Sequence, residues 1–233
     1  MSARDDILAR IRSGLGRGAS AGEADAVAAR VAAHRRNLIP ARAAALDPAG
    51  RVQLFVTMAE AVQTTVGRVS RDIDIPGEVA RYLAAENLPA ELKMAPDPTL
   101  DTIPWDERPL LNIRRGKAEP GDAVSLTPCL AAIAETGTLM LVSGETTPTT
   151  LNFLPDTHIV VLHASQVVAA YEDGWDLLRD RKGEGPLALP RVVNFITGPS
   201  RTGDIEQKIE LGAHGPRRLH VILVDDDPAR RQH

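Results

Sequence analysis

The sequence is short of cysteine, of aromatic rings and of long apolar runs, and each shortage closes off a class of function. A single cysteine, Cys129, excludes an internal disulfide and any iron–sulfur cluster ligated by this chain's own thiolates. Aromatic residues are 3% of the chain, too few for base-stacking platforms, and a formal net charge of -4 gives no basic footprint for nucleic acid or an anionic membrane. No apolar stretch approaches the roughly 20 residues that span a bilayer. The charged start, Met1 to Arg10, has no apolar signal core, so a cytoplasmic protein is expected. The six histidines show no His-x-x-x-His or Glu-x-x-His spacing, so neither a metal nor a cofactor is expected to be held by this chain.

What is present is an ordinary globular composition, 43% apolar and 25% charged over 233 residues. The first fifty residues are rich in Ala and Arg and read as helix, break, helix. Ile7, Leu8, Ile11 and Leu15 make one apolar stripe and Val27, Val31 and Leu38 another, on either side of a flexible run from Gly14 to Gly22. Gly14, Gly16 and Gly18 do not form a dinucleotide fingerprint, because no strand precedes them and the spacing is wrong. Asp47-Pro48 is an N-cap followed by proline at the first helical position, and predicts a helix whose apolar positions run Val52, Phe55, Ala59, Val62, Val66 and Val69. A short helix is expected from Pro76 to Leu88, with Val79 and Leu83 inward, and mostly loop between Pro89 and Pro109.

Beyond Val124 the texture changes. Nearly continuous apolar runs recur at Leu139–Val142, Ile159–Leu162, Val192–Ile196 and Leu219–Val224, as in strands of a parallel sheet covered on both faces. A helix is expected over Ser165–Leu178 and a brief crossover helix over Thr202–Leu211. The alternation predicts a layered α/β domain over 46–228, preceded by a helical arm over 1–45.

Three segments carry a resemblance. They are Ala134-Glu-Thr-Gly-Thr-Leu-Met-Leu-Val-Ser-Gly144, then Thr147-Pro-Thr-Thr-Leu-Asn-Phe-Leu-Pro-Asp-Thr-His-Ile-Val-Val161, then Thr197-Gly-Pro-Ser-Arg-Thr-Gly-Asp-Ile-Glu206 with Gly212-Ala-His-Gly-Pro-Arg-Arg-Leu-His-Val-Ile-Leu-Val-Asp225. Together they resemble the LUD-domain family of lactate utilization proteins C, strongly over the C-terminal half and only in pattern before it. Gly203 departs from the alanine more usual there and is expected to loosen the start of a following helix. The resemblance implies a three-layer α/β/α fold with a mostly parallel sheet, like CoA transferases and ribose-5-phosphate isomerase. It also implies a role in oxidising L-lactate to pyruvate beside two partner subunits, one of them carrying iron–sulfur clusters. No catalytic residue comes with it.

The candidate site therefore rests on this chain's residues. Glu135, with Thr136 and Gly137, lies in a loop entering a strand; it reads as a nucleophile or base by analogy with the wider fold group, or as a structural pairing group. Ser143 and Gly144 follow an apolar strand and offer either a ligand hydroxyl and close backbone approach or an ordinary turn. Gly198, Ser200, Arg201, Thr202 and Asp204 form a polar turn where strand ends bind ligands, and Arg201 has the planar fork that takes a carboxylate or phosphate. Ser200 or Thr202 would cap the crossover helix. His214 sits in a rigid turn before the last strand, structural or acid–base, and reads as lying at the sheet's opposite end from Arg201. His158 and Cys129 read as buried and structural. The functional expectation is a non-redox subunit that binds a small carboxylate or phosphate or docks an iron–sulfur partner; the alternative is an independent transferase or isomerase using Glu135. A homo-oligomer is left open.

Overall fold

The computed structural model describes residues 3–15, 21–36, 39–181, 189–205, 208–212 and 214–226, with the side chains of 202–205 and 208–211 outside that description. Leu38 and most of the glycine-rich break thus lie outside the described residues. The chain divides into two compact units, Met1–Ile39 and Pro40–His233. The first holds α1 (Ala3–Gly14) and α2 (Ala21–Ala32), with Ile7, Ile11, Val27 and Val31 exposed.

The second unit begins with α3 (Ala41–Ala44) and α4 (Pro48–Ala61). α4 starts where the cap chemistry demands: the Asp47 carboxylate accepts from Gly50 N at 2.7 Å and Pro48 occupies the first turn. The apolar stripe read as one long helix is broken after Ala61. Gln63 takes φ +70°, and Val66 and Val69 belong to strand β1 (Thr65–Val69). There follow α5 (Ile75–Ala85), β2 (Glu91–Met94), α6 (Pro98–Asp101), β3 (Asn112–Arg115), β4 (Val124–Pro128), β5 (Ala131–Ile133), β6 (Thr138–Val142), α7 (Thr150–Phe153), β7 (Thr157–His163), β8 (Val167–Val168), α8 (Tyr171–Asp180), β9 (Val193–Ile196), β10 (Arg201–Ile205), β11 (Lys208–Leu211) and β12 (Arg218–Val224).

Six strands form one sheet in the order β1-β12-β7-β4-β2-β3, and every neighbouring pair is parallel. β7 shows why its sequence is continuously apolar. Ile159 and Val161 enter one core with α5 residues Ile75, Val79 and Leu83; Val160 and Leu162 enter the other with α4 residues Phe55, Val56 and Ala59.

The runs Leu139–Val142 and Val192–Ile196 are not in the parallel sheet. They are β6 and β9, antiparallel partners in a second sheet of order β8-β5-β6-β9. This sheet packs Leu139 and Leu141 onto the core shared with α4, and Met140 against α8 through Leu178 and Trp175. β6 and β9 pack on both faces, so their sequences look like parallel strands although they pair antiparallel. The helix expected over 165–178 starts only at Tyr171, after the short strand β8.

The crossover helix expected over 202–211 is absent: β10 and β11 form an antiparallel hairpin, Arg201 opposite Leu211 and Thr202 opposite Glu210. Gly203 and β-branched Thr202, Ile205 and Ile209 favour the strand over a helical turn. Neither Ser200 nor Thr202 caps a helix there.

Two buried histidines stiffen the central sheet. His158 is 0% exposed, its Nε2 2.8 Å from Thr127 Oγ1 and its Nδ1 without a partner; burial pulls its pKa down to about 3. His220 stacks on Tyr82 with ring centroids 3.9 Å apart and meets Thr65 Oγ1 at 2.8 Å. Its Nε2 lies 3.4 Å from Glu78 Oε1 but is not aligned for a hydrogen bond. Burial outweighs the pull of Glu78 and holds His220 at about 4.

Candidate functional site

The two edges of the parallel sheet differ in how their polar groups are used. At the amino edge the structure gathers most of the residues singled out from the sequence around the last turn of α4. The β5–β6 turn carries Glu135, Thr136 and Gly137. Gly137 takes φ +66°, and a Cβ there would lie 2.3 Å from Ala59 N and 2.5 Å from Met58 C. Gly198, at φ +79°, meets the same helix end: a Cβ on it would lie 2.5 Å from Val62 O. Only glycine admits both the left-handed backbone and the close approach. Between these turns four hydroxyls satisfy one another. Thr138 Oγ1 is 2.7 Å from Thr136 Oγ1, 2.7 Å from Thr197 Oγ1 and 3.0 Å from Tyr171 OH, which is 3.1 Å from Thr136.

Ser200 and His214 also meet at this edge. Ser200 N donates to Pro216 O at 2.8 Å, Gly212 N donates to Ser200 O at 3.0 Å, and His214 N donates to Ser200 Oγ at 3.3 Å. The expectation that His214 lies across the sheet from the Gly198–Thr202 turn is therefore corrected: both precede β12 and are bonded to each other. Arg201 stands exposed at the start of β10, leading into the hairpin rather than sitting at the carboxyl end of a parallel strand. The side chains of Thr202 and Asp204 lie outside the described ones.

Glu135 is half-buried; its backbone carbonyl accepts from an Arg42 guanidinium N–H and its backbone N donates to Ala169 O at 3.2 Å. Ser143 and Gly144 stand apart, at the far end of β6. The Ser143 hydroxyl accepts from Val192 N at 2.9 Å, and Gly144 and Thr147 exchange backbone hydrogen bonds in an ordinary turn between β6 and α7. Cys129 is buried, with its thiol pushed up to about 12 by burial, so thiolate chemistry is closed to it.

The carboxyl edge is where open parallel sheets bind ligands, and it holds a cavity of about 570 Å³ that the sequence reading did not find. Three adjacent strands, β1, β12 and β7, end there. The walls are Val52, Val69, Val167, Val168 and Leu223, and the polar groups are Arg51, Gln53, Arg68, Ser70, Ser165, Asp225 and Asp226. At the rim Asp226 accepts from Ser165 N at 2.9 Å and from Ser165 Oγ at 2.5 Å. The first turn of α4 contributes Pro48, Ala49 and Arg51, and the Arg51 Nε is buried without a hydrogen-bond partner. A guanidinium, two serine hydroxyls and apolar walls can hold an organic anion. Among the described residues no three His, Cys, Asp or Glu side chains gather as a metal site, and no helix is long and apolar enough to cross a membrane.

A parallel six-stranded sheet backed by helices, with an open cleft at its carboxyl edge and a small mixed sheet packed on one face, defines a layered α/β domain. Its kinship is equally clear. Residues 114–224 match the LUD domain. Lactate utilization protein C of Deinococcus radiodurans is 34% identical over 155 residues, covering 65% of this chain and 69% of the relative. That of Bacillus velezensis is 33% identical over 132 residues, covering 56% of this chain and 53% of the relative. That of Bacillus subtilis is 34% identical over 110 residues, 47% of this chain and 45% of the relative. The chain thus spans about half the length of the Bacillus relatives it matches. A solved DUF162 family protein from Deinococcus radiodurans superposes with a TM-score of 0.56 at 26% identity, covering 77% of this chain and 99% of that one. The chain belongs to the LUD-domain family of lactate utilization protein C.

Proposed function

We propose that this protein acts in lactate utilization, as a cytoplasmic, non-redox component of a system that oxidises L-lactate to pyruvate. Its α/β unit holds an organic anion or docks a partner subunit carrying the iron–sulfur clusters, with the exposed Arg201 offered to an anionic group of that partner. The observation that carries this reading is the likeness to proteins named for lactate utilization, 34% identical over 65% of the chain in the Deinococcus radiodurans relative. Two features of the chain support the non-redox part. Its one cysteine cannot ligate a cluster, and that thiol is buried and held protonated.

The test is deletion of the gene in its host, with growth on L-lactate and L-lactate oxidation in extracts as readouts. Both should fall, and the wild-type gene should restore them. Extracts that oxidise L-lactate at the undeleted rate would refute the role. Glu135→Gln should complement fully. A folded Glu135→Gln protein that fails would favour an independent enzyme using that carboxylate. Arg201→Ala should fold normally and lose co-purification with the iron–sulfur subunit; full co-purification would remove Arg201 from the docking surface.

A further inference from the structure

We infer that the cleft at the carboxyl edge of β1, β12 and β7 binds an organic acid larger than lactate, its carboxylate on Arg51 and its apolar body against Val52, Val69, Val167, Val168 and Leu223. The inference rests on the chain being a ligand-binding component as proposed above, and it names the class of ligand.

Size comes first. The cavity measures about 570 Å³. Lactate occupies roughly 100 Å³, about three times the ~30 Å³ a water takes in the liquid, so it would leave most of the cleft filled with water. Cavities of roughly 300–1,000 Å³ suit ligands of drug or cofactor size.

Charge comes next. A guanidinium Nε–H buried without an acceptor has lost its water and gained nothing in return. A carboxylate in the cleft pairs with those guanidinium N–H groups of Arg51 that line it, in the planar geometry that arginine favours. Asp226 accepts two bonds from Ser165 and Asp225 lies with it in the lining, so the cleft sets two carboxylates against the guanidinium groups of Arg51 and Arg68. The first turn of α4 lies beside the same spot, its end already capped by the Asp47 carboxylate.

Shape comes last. Val52, Val69, Val167, Val168 and Leu223 line the walls, and among the described residues no aromatic or cysteine does. Apolar surface left facing water in a concave site is surface that an apolar body would cover.

The probes are naphthalene-2-carboxylate, its neutral carboxamide and L-lactate, each titrated calorimetrically into the purified full chain. The carboxylate should bind, and the carboxamide should bind at least about tenfold more weakly, the factor expected when a charge-assisted pair is lost. Arg51→Gln should weaken the carboxylate by a similar factor while leaving the carboxamide unchanged. Ala49→Trp, at the exposed rim of the cleft, should block both without touching Arg51. Equal binding of carboxylate and carboxamide, or wild-type binding by folded Arg51→Gln and Ala49→Trp chains, would overturn the assignment. So would Arg51-dependent binding of L-lactate as tight as that of the aromatic acid, and so would no binding of any probe at millimolar concentration. The gene-deletion readout is independent: specific binding in a chain whose loss leaves lactate growth intact would refute the pathway role and leave the ligand class standing.

Discussion

Replacing Gly137 with alanine should be among the most damaging single-methyl changes in the protein. The cost has two parts. An alanine forced to φ +66° pays the left-handed penalty, about 1–2 kcal/mol. Its Cβ would also lie 2.3 Å from Ala59 N and 2.5 Å from Met58 C, which are backbone atoms of α4 and cannot swing aside as a side chain could. Forcing such an overlap apart costs roughly 1–3 kcal/mol more. Out of a total stability of about 5–15 kcal/mol, a loss near 3 kcal/mol is severe, and at about 2–4 °C per kcal/mol for a unit of this size it lowers the thermal midpoint by roughly 6–12 °C. Gly121→Ala is the control, since Gly121 takes φ +98° but a Cβ there meets nothing within 4 Å. Gly198→Ala presses Val62 O at 2.5 Å in the same turn of α4, so the double variant should cost less than the sum of the singles. Thermal and urea unfolding followed by circular dichroism would measure all four chains. If Gly137→Ala unfolds within about 2 °C of Gly121→Ala, the packing of the β5–β6 turn on α4 is not what the distances say, and the grouping of residues at the amino edge loses its basis.

Three further outcomes follow from buried polar groups. Below pH ~6.5 the unfolded chain protonates His158 while the folded chain refuses the proton until about 3, so stability is full above ~6.5 and falls with pH at up to ~1.4 kcal/mol per unit; His158→Gln should flatten the urea-derived slope between pH 6 and 4, and an unchanged slope would place the effect elsewhere. His220, held at about 4, adds to the same window and should keep part of the slope in that variant. Tyr171→Phe removes a hydroxyl bonded at 3.1 and 3.0 Å to Thr136 and Thr138 and should cost about 1–2 kcal/mol in urea unfolding; a neutral result would show that the hydroxyl cluster is solvated instead. Cys129, with its thiol at about 12, should resist iodoacetamide at pH 8 in the folded chain and react fully in guanidinium; labelling of the folded protein at the rate of a free thiol would contradict the burial.

The parts of the fold that were legible in the sequence are those fixed by local chemistry or by burial on two faces. Asp47-Pro48 announced the start of α4 because capping needs only neighbours in the chain. The runs in β7 and β12 announced central strands because both faces of each are covered. The same rule misled for β6 and β9: sandwiched between α8 and the α4 core, they are as apolar as parallel strands, and apolarity carries no information about strand direction. The hairpin at Arg201–Leu211 was missed because the segment between two apolar runs was read as a crossover, although Gly203 and the β-branched residues argued against one. The cleft was not legible at all. Its lining comes from separate segments around 48–53, 68–70, 164–168 and 223–226, and no local spacing joins them. Arg51, on the first turn of a surface helix, looks like any solvated arginine until the strand ends are placed beside it.

Residue type alone would put the functional site at the amino edge, where Glu135, Thr136, Ser200 and His214 collect. The open cleft lies at the other. The hydroxyls of Thr136, Thr138, Thr197 and Tyr171 are bonded to one another, Ser200 is bonded through its N, O and Oγ, and two glycines press the turns onto α4. Groups that have already exchanged water for protein partners gain little from a ligand, which must first break those bonds. At the carboxyl edge Arg51 lines a cavity with apolar walls, and that is where the inferred ligand would sit. The amino edge then serves as the rigid end of α4, and it fixes the helix whose opposite end carries Arg51 into the cleft.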